Sequence, residues 1–112
     1  MMLEVHESEQ AIHVKVAETR FDAAMAPHFI KQMQPFLRKS AAPVIVDLTM
    51  VEFIDSSGLG SLVSVLKQRG LSGEFMVCGA TGAVADLFAL TKMDRVFTLA
   101  PDYDQALAML VV

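Results

Sequence analysis

The chain has 112 residues, of which 54% are hydrophobic and 20% charged, a composition typical of a globular protein rather than a disordered one. The formal net charge of −4 and the lack of any lysine or arginine run argue against electrostatic binding to nucleic acid or to an anionic membrane surface. We therefore expect a single domain over residues 1–112 whose partners are proteins, with neither nucleic acid nor a membrane bound directly.

The cysteine content and the amino-terminal segment predict a cytoplasmic protein. Cys78 is the sole cysteine, so no internal disulfide can form. Residues 1–10 lack a basic region followed by an apolar one, so they do not resemble an export signal. No apolar run approaches the roughly 20 residues that cross a bilayer.

The first predicted elements are the two strands of a hairpin. Ile12, Val14 and Val16 alternate with polar residues, as in a strand with one solvated face. A short polar segment precedes them, so residues 2–7 are predicted to form the partner strand.

An amphipathic helix is predicted next. Its apolar residues follow the i, i+3, i+4, i+7 spacing of one helical face: Ala26, Phe29, Ile30, Met33 and Leu37. Pro27 suits a first helical turn, whereas Pro35 lies deep in the pattern and removes a backbone donor there. We expect a kink or an early stop at Pro35.

The middle of the chain predicts a strand, a helix and a second strand. Residues 43–48 form a continuous apolar run, typical of a strand that is covered on both faces and has parallel neighbours. Residues 74–80 predict the second strand, and residues 58–69 cross between the two. One face of the crossing helix is apolar and consists of Leu59, Leu62, Val63 and Leu66. Such parallel crossovers are almost always right-handed.

The remaining residues predict a helix, a strand and a final helix. Thr81 can cap a helix whose inward face consists of Val84, Leu87, Phe88 and Thr91. Residues 95–100 predict the last strand, and Asp102 with Gln105 resembles the capping box of the last helix. The sequence as a whole predicts an α/β fold with a mixed sheet of four or five strands and about four helices.

The turn formed by residues 55–58, Asp-Ser-Ser-Gly, is the candidate functional site. We call these four residues the serine turn. It follows a predicted buried strand and begins a helix, which is where open α/β sheets often present functional groups. A serine there can accept a hydrogen bond from a free amide of the first helical turn, and Gly58 lets another backbone or a partner approach. The two serines could simply cap the helix, but an acid, two hydroxyls and a glycine together favour a functional site.

Catalysis at this turn is disfavoured. A nucleophile elbow needs Gly-x-Ser-x-Gly and a later histidine, whereas His6, His13 and His28 all precede the serines. The turn also has no second histidine or cysteine nearby and no carboxylate cluster, so no metal site is expected. Cys78 lies in an apolar strand and is predicted to be a core residue rather than a redox centre. We expect no enzymatic activity, no catalytic residue, no metal and no cofactor.

Residues 44–68, VIVDLTMVEFIDSSGLGSLVSVLKQ, resemble the signature region of STAS domains, the bacterial anti-sigma factor antagonists. Residues 21–29, FDAAMAPHF, are similar to the start of the family's first helix, and residues 87–110 are similar to its closing helix, strand and helix. Thr19 and Lys92 stand where the family usually has glycine, and these departures affect local turn geometry rather than the serine turn.

The resemblance implies that phosphorylation of the serine turn, by adding negative charge, controls the binding of a partner protein. Family members bind a serine kinase of the histidine-kinase-like ATPase fold, an anti-sigma factor, which phosphorylates the first serine of the turn, here Ser56; a metal-dependent phosphatase reverses the modification. The unphosphorylated protein sequesters the kinase and so releases a sigma factor or another output. The partner-binding residues that the resemblance implies are Asp22, Asp55, Ser56, Ser57, Gly58 and Leu59. For Asp22, the other interpretation is that it caps a helix.

A second function stays open at this point. Some stand-alone STAS domains that are similar to this chain are constitutive subunits of lipid ABC transporters and bind the transporter ATPase without being phosphorylated. The acid and the two hydroxyls of the serine turn favour the switch, because an assembly subunit has no chemical need for them.

Overall fold

The computed structural model describes residues 2–38 and 41–110. Within these ranges the chain forms seven β-strands and four α-helices. The strands are β1 (Leu3–Glu7), β2 (Ile12–Val16), β3 (Arg20–Phe21), β4 (Val44–Asp47), β5 (Phe53–Ile54), β6 (Phe75–Cys78) and β7 (Thr98–Ala100). The helices are α1 (Ala26–Leu37), α2 (Ser56–Arg69), α3 (Gly82–Leu90) and α4 (Tyr103–Leu110).

A mixed sheet of five strands, in the order β1-β2-β4-β6-β7, organises the described residues. The strands β1 and β2 form the predicted antiparallel hairpin, and the pairs β2–β4, β4–β6 and β6–β7 are parallel. All residues of β4 and β6 are buried, because α1, α2 and α3 contribute to the core on one face and α4 to the core on the other. The predicted α/β class, the central position of β4 and the crossing of α2 between parallel strands are confirmed.

The junction of α1 and α2 contains a charge that the periodicity does not predict. The proline at position 35 does not stop α1, which continues to Leu37. Arg69, at the end of α2, is fully buried, and its Nη1 donates to the carbonyl oxygens of Phe36 at 3.2 Å and Leu37 at 3.1 Å. The last carbonyls of a helix lack partners within that helix. A buried arginine from α2 therefore supplies hydrogen-bond donors to two of the carbonyls at the end of α1.

The carboxyl-terminal elements differ in detail from their prediction. Thr91 is exposed, so the expectation that it faces inward is wrong. Thr81 starts α3, but its side chain forms no capping hydrogen bond within the described residues. The last strand is shorter than predicted because residues 93–95 form a 3-10 turn instead. Asp102 does cap α4, since its Oδ1 accepts from the backbone N–H of Gln105 at 2.8 Å.

A polar cluster lies between the sheet and α4. His13 Nε2 lies 2.7 Å from Asp47 Oδ2, and the His13 ring stacks on Tyr103 with 3.7 Å between centroids. Burial acts to raise the pKa of Asp47, but hydrogen bonds from Thr49 and His13 outweigh it and hold this pKa below its ordinary value. Burial, and next the charge of Asp47, raise the pKa of Cys78 to about 12. Cys78 is thus a protonated core thiol, as predicted.

Lys92 has a left-handed backbone with φ 60°, and no other non-glycine residue within 2–38 and 41–110 has a positive φ. A left-handed backbone costs a residue with an L side chain roughly 1–2 kcal/mol. Glycine avoids this cost, but its greater conformational entropy in the unfolded state cancels part of the gain in stability. Lys92→Gly is therefore expected to raise the free energy of unfolding by about 0.5–1 kcal/mol, measured by urea denaturation. Lys92→Ala is the matched control, because it removes the charge but keeps Cβ. Equal stabilisation by both variants would contradict this explanation.

Candidate functional site

The serine turn lies between β5 and α2. Strand β5 pairs in parallel with β3 in a separate two-stranded sheet. Ile54 is buried, but Phe53 is 39% exposed. The strand before the turn is therefore short and only half buried, which corrects the prediction of a buried strand there.

Asp55 fixes the conformation of the turn. It is the N-cap residue of α2, and its Oδ1 accepts from the backbone N–H of Gly58 at 2.8 Å. The other oxygen, Oδ2, accepts from the backbone N–H of Ala23 at 3.2 Å. One carboxylate thus caps α2 and connects it to the loop before α1. The cap is an acid, so the interpretation of the two serines as helix caps is wrong.

Ser56 and Ser57 form the exposed part of the turn. They are the first two residues of α2 and both are exposed. Their hydroxyls take part in none of the hydrogen bonds found among the described residues. The first turn of a helix attracts anions through its free amides, but Asp55 already occupies the amide of Gly58. Both hydroxyls are therefore exposed to solvent, on a backbone that the neighbouring Asp55 carboxylate holds in place.

Gly58 and Leu59 are buried beneath the two exposed serines and determine the shape of the turn. Gly58 is buried, and an added Cβ would overlap the carbonyl oxygen of Phe21 in β3 and lie 2.9 Å from Ile54 Cγ1. The glycine therefore permits the close approach of another backbone, which belongs to the same chain. Leu59 is 6% exposed and packs in the main core. These two residues shape the turn, while the serines form its surface.

Asp22 lies in the loop that Asp55 holds. Its Oδ1 accepts from the backbone N–H of Ala24 at 3.1 Å, and its Oδ2 lies 3.5 Å from Arg20 Nε. The N-cap residue of α1 is Met25. Asp22 therefore orders the loop that leads into α1 instead of capping the helix itself, and this loop contacts the serine turn through the hydrogen bond from Ala23 to Asp55.

Arg20 and Phe53 extend this surface and were not predicted from the sequence. The Arg20 guanidinium carbon lies 4.3 Å from the centroid of the Phe53 ring, and the two residues are paired in the β3–β5 ladder. Arginine is enriched among the residues that contribute most to binding at protein interfaces. Strands of two residues have no periodic pattern, so nothing in the sequence indicated this pairing.

Comparison with known proteins identifies the family. The STAS domain family matches residues 2–106, which is nearly the whole chain. The chain belongs to the STAS domain family.

Solved STAS proteins of similar length share this fold. An anti-sigma factor antagonist from Mycobacterium paratuberculosis is 27% identical, with a TM-score of 0.88 over 97% of this chain and 92% of that one. An anti-sigma-factor antagonist domain protein from Planctomyces limnophilus is 19% identical, with a TM-score of 0.86 over 97% of both chains. The antagonist SpoIIAA in its unphosphorylated form is 12% identical, with a TM-score of 0.77 over 97% of this chain and 96% of that one.

The three histidines of this STAS chain belong to elements other than the serine turn. His6 and His13 belong to the β1–β2 hairpin, and His28 is exposed on α1. Across residues 2–38 and 41–110, no group of three or more histidine, cysteine, aspartate or glutamate residues is arranged to hold a metal ion. None of the helices in the same ranges is long and apolar enough to cross a membrane.

Proposed function

We propose that this protein is an anti-sigma factor antagonist whose binding to a serine kinase of the histidine-kinase-like ATPase fold is switched by phosphorylation of Ser56. The observation that carries the proposal is the division of roles within the turn. Asp55 holds the backbone through hydrogen bonds to Gly58 and Ala23, while Ser56 is exposed at the start of α2. A kinase can therefore reach the hydroxyl without unfolding the turn.

The charge balance of the surface explains why a phosphate would release the partner. Phosphorylation adds about −1.5 to −2 charges, here next to Asp55 and near Asp22 in a chain of net charge −4. A docked partner would have to bury this charge beside the Asp55 carboxylate, at a cost of several kcal/mol. Since each 1.4 kcal/mol is tenfold in affinity, release requires no change of fold. A metal-dependent phosphatase then restores the binding form.

The proposed docking surface is centred on the serine turn. Its exposed or half-exposed members are Asp22, Asp55, Ser56 and Ser57, with Arg20 and Phe53 at one side. Gly58 and Leu59 determine its shape from below. The protein in this proposal acts by binding alone, with no catalytic residue, metal or cofactor of its own.

Ser56, and not Ser57, is expected to carry the phosphate, because the family assigns the modification to the hydroxyl directly after the acid. The purified protein is incubated with lysate of its own organism and labelled ATP, and its phosphopeptides are mapped. Ser56→Ala should abolish labelling, and Ser57→Ala, the matched control, should retain it. The opposite result would overturn the assignment.

Co-purification from the same lysate separates this proposal from the transporter-subunit alternative. The switch predicts that Ser56→Ala captures a serine kinase of the histidine-kinase-like ATPase fold. A transporter ATPase captured equally by wild type and Ser56→Asp would replace the proposal with the alternative.

A further inference from the structure

The outer edge of β1 is an open strand edge. Strand β1 pairs only with β2 within the described residues and ends the five-stranded sheet. Val5 in its centre is 40% exposed. An edge strand presents unpaired N–H and C=O groups that can pair with another chain.

The hydrogen bonds at the two ends of the hairpin show which backbone groups point outward. The N–H of Ala17 donates to the carbonyl of Met2, and the N–H of Ser8 donates to the carbonyl of Ala11, both at 3.0 Å. Antiparallel pairs alternate between hydrogen-bonded and non-hydrogen-bonded residues, so the even-numbered residues of β1 turn their backbone groups toward β2. The residues whose backbone groups face the open edge are Leu3, Val5 and Glu7.

We propose that a second copy of this chain adds to this edge, with the two β1 strands antiparallel about a two-fold axis at Val5. In this register Val5 pairs with the partner's Val5, and Leu3 pairs with the partner's Glu7. The outward-facing residues of both strands then oppose one another, so each pair exchanges two hydrogen bonds. The two sheets become one continuous sheet. This association goes beyond the proposed switch and does not depend on it.

Complementary polar side chains favour this register, because a carboxylate can accept a hydrogen bond from a facing imidazole N–H. Glu4 lies opposite the partner's His6, and His6 lies opposite the partner's Glu4, both in non-hydrogen-bonded pairs where facing side chains come closest. Within its own chain Glu4 pairs with Lys15, and His6 pairs with His13. A register in which Leu3 pairs with the partner's Val5 would instead place Glu4 opposite the partner's Glu4. Repulsion between these like charges disfavours that register.

A groove of mixed polarity beside β1 adds contact area. It is an open depression of about 600 Å³ between the edge strand and α1, lined by the apolar residues Met2, Leu3, Val5 and Phe36 and by the polar residues Glu18 and Gln32. Met2, at its rim, is 59% exposed. The two-fold axis at Val5 places the grooves of the two copies next to each other. Each copy thus helps to cover the exposed apolar residues of the other.

The test is the association state of the full chain, measured by sedimentation equilibrium from about 10 to 500 μM. A five-residue strand forms a smaller interface than the standard of about 1,600 Å², so we expect a weak dimer with Kd in this range. Val5→Lys places like charges opposite each other and should weaken the dimer at least about tenfold. Thr98→Lys, on β7 at the opposite edge, is the matched control and should leave Kd unchanged.

The register has its own test. Glu4→His places histidines opposite each other, and His6→Glu places glutamates opposite each other, so each single variant should weaken the dimer. The double variant restores the facing Glu–His pairs only in the proposed register, and its Kd should return toward wild type. A monomer at 500 μM, a dimer unaffected by Val5→Lys, or a double variant as weak as the single variants would each overturn the proposal. Thermal midpoints of all variants confirm that each is folded.

Discussion

Gly58→Ala is expected to destabilise the protein by about 2–3 kcal/mol, although it adds one methyl group to a helix. The new Cβ would overlap the carbonyl oxygen of Phe21, a backbone atom, and approach Ile54 Cγ1 at 2.9 Å. Because the obstacle is backbone, relief requires β3 to move away from α2. The loop that carries Asp22 directly follows β3, so the docking surface would shift as well.

Gly60→Ala is the matched control for this effect. It lies in the same helix, and an added Cβ there meets nothing within 4 Å. Alanine is favoured over glycine in a helix by about 1 kcal/mol, so Gly60→Ala should stabilise the protein where Gly58→Ala destabilises it. Urea denaturation of both variants gives the two free energies of unfolding. Changes of the same sign would show that helix propensity, and not the contact with Phe21, determines the effect.

The sheet and its helices were predictable because they have periodic sequences. The run of residues 43–48 predicted a central parallel strand, and all four residues of β4 are buried between parallel neighbours. The buried charge of Arg69 was not predictable, because its partners are carbonyls of a helix distant in the sequence. Hydrophobic periodicity reports which face of an element is buried, and it carries no information on such long-range hydrogen bonds.

In the candidate site, too, the sequence did not reveal which hydrogen bonds each residue forms. The composition of the serine turn and its position before a helix were evident from the sequence, whereas the roles of its residues were not. Both Asp55 and Ser56 are acceptable N-cap residues by propensity, and only the geometry shows that the acid caps while the serine stays exposed. The contact of Arg20 with Phe53 depends on two strands of two residues each, which are too short to show an alternating pattern.

Ser56→Asp is expected to weaken binding of the partner kinase at least about hundredfold, which corresponds to about 3 kcal/mol. The substitution places a carboxylate beside Asp55 at the start of α2, and a docked partner would have to desolvate the two neighbouring acids. The fold should tolerate the change, because an acid in the first turn of a helix interacts favourably with the helix dipole. Binding and stability are therefore expected to separate: the affinity falls while the thermal midpoint stays near that of wild type.

Two control variants decide whether charge at the serine turn causes this loss. Ser56→Ala removes the hydroxyl without adding charge, so it should bind the kinase captured from lysate about as tightly as wild type and resist release by ATP. Ala108→Asp adds the same charge at an exposed position of α4, which packs on the opposite face of the sheet from α2, and it should leave the affinity unchanged. Calorimetric titration of the kinase with each variant gives the Kd values. Equal binding by Ser56→Asp and Ser56→Ala would show that charge at this turn is not the switch. Equal losses of affinity in Ser56→Asp and Ala108→Asp would instead attribute the effect to the net charge of the protein and not to the docking surface.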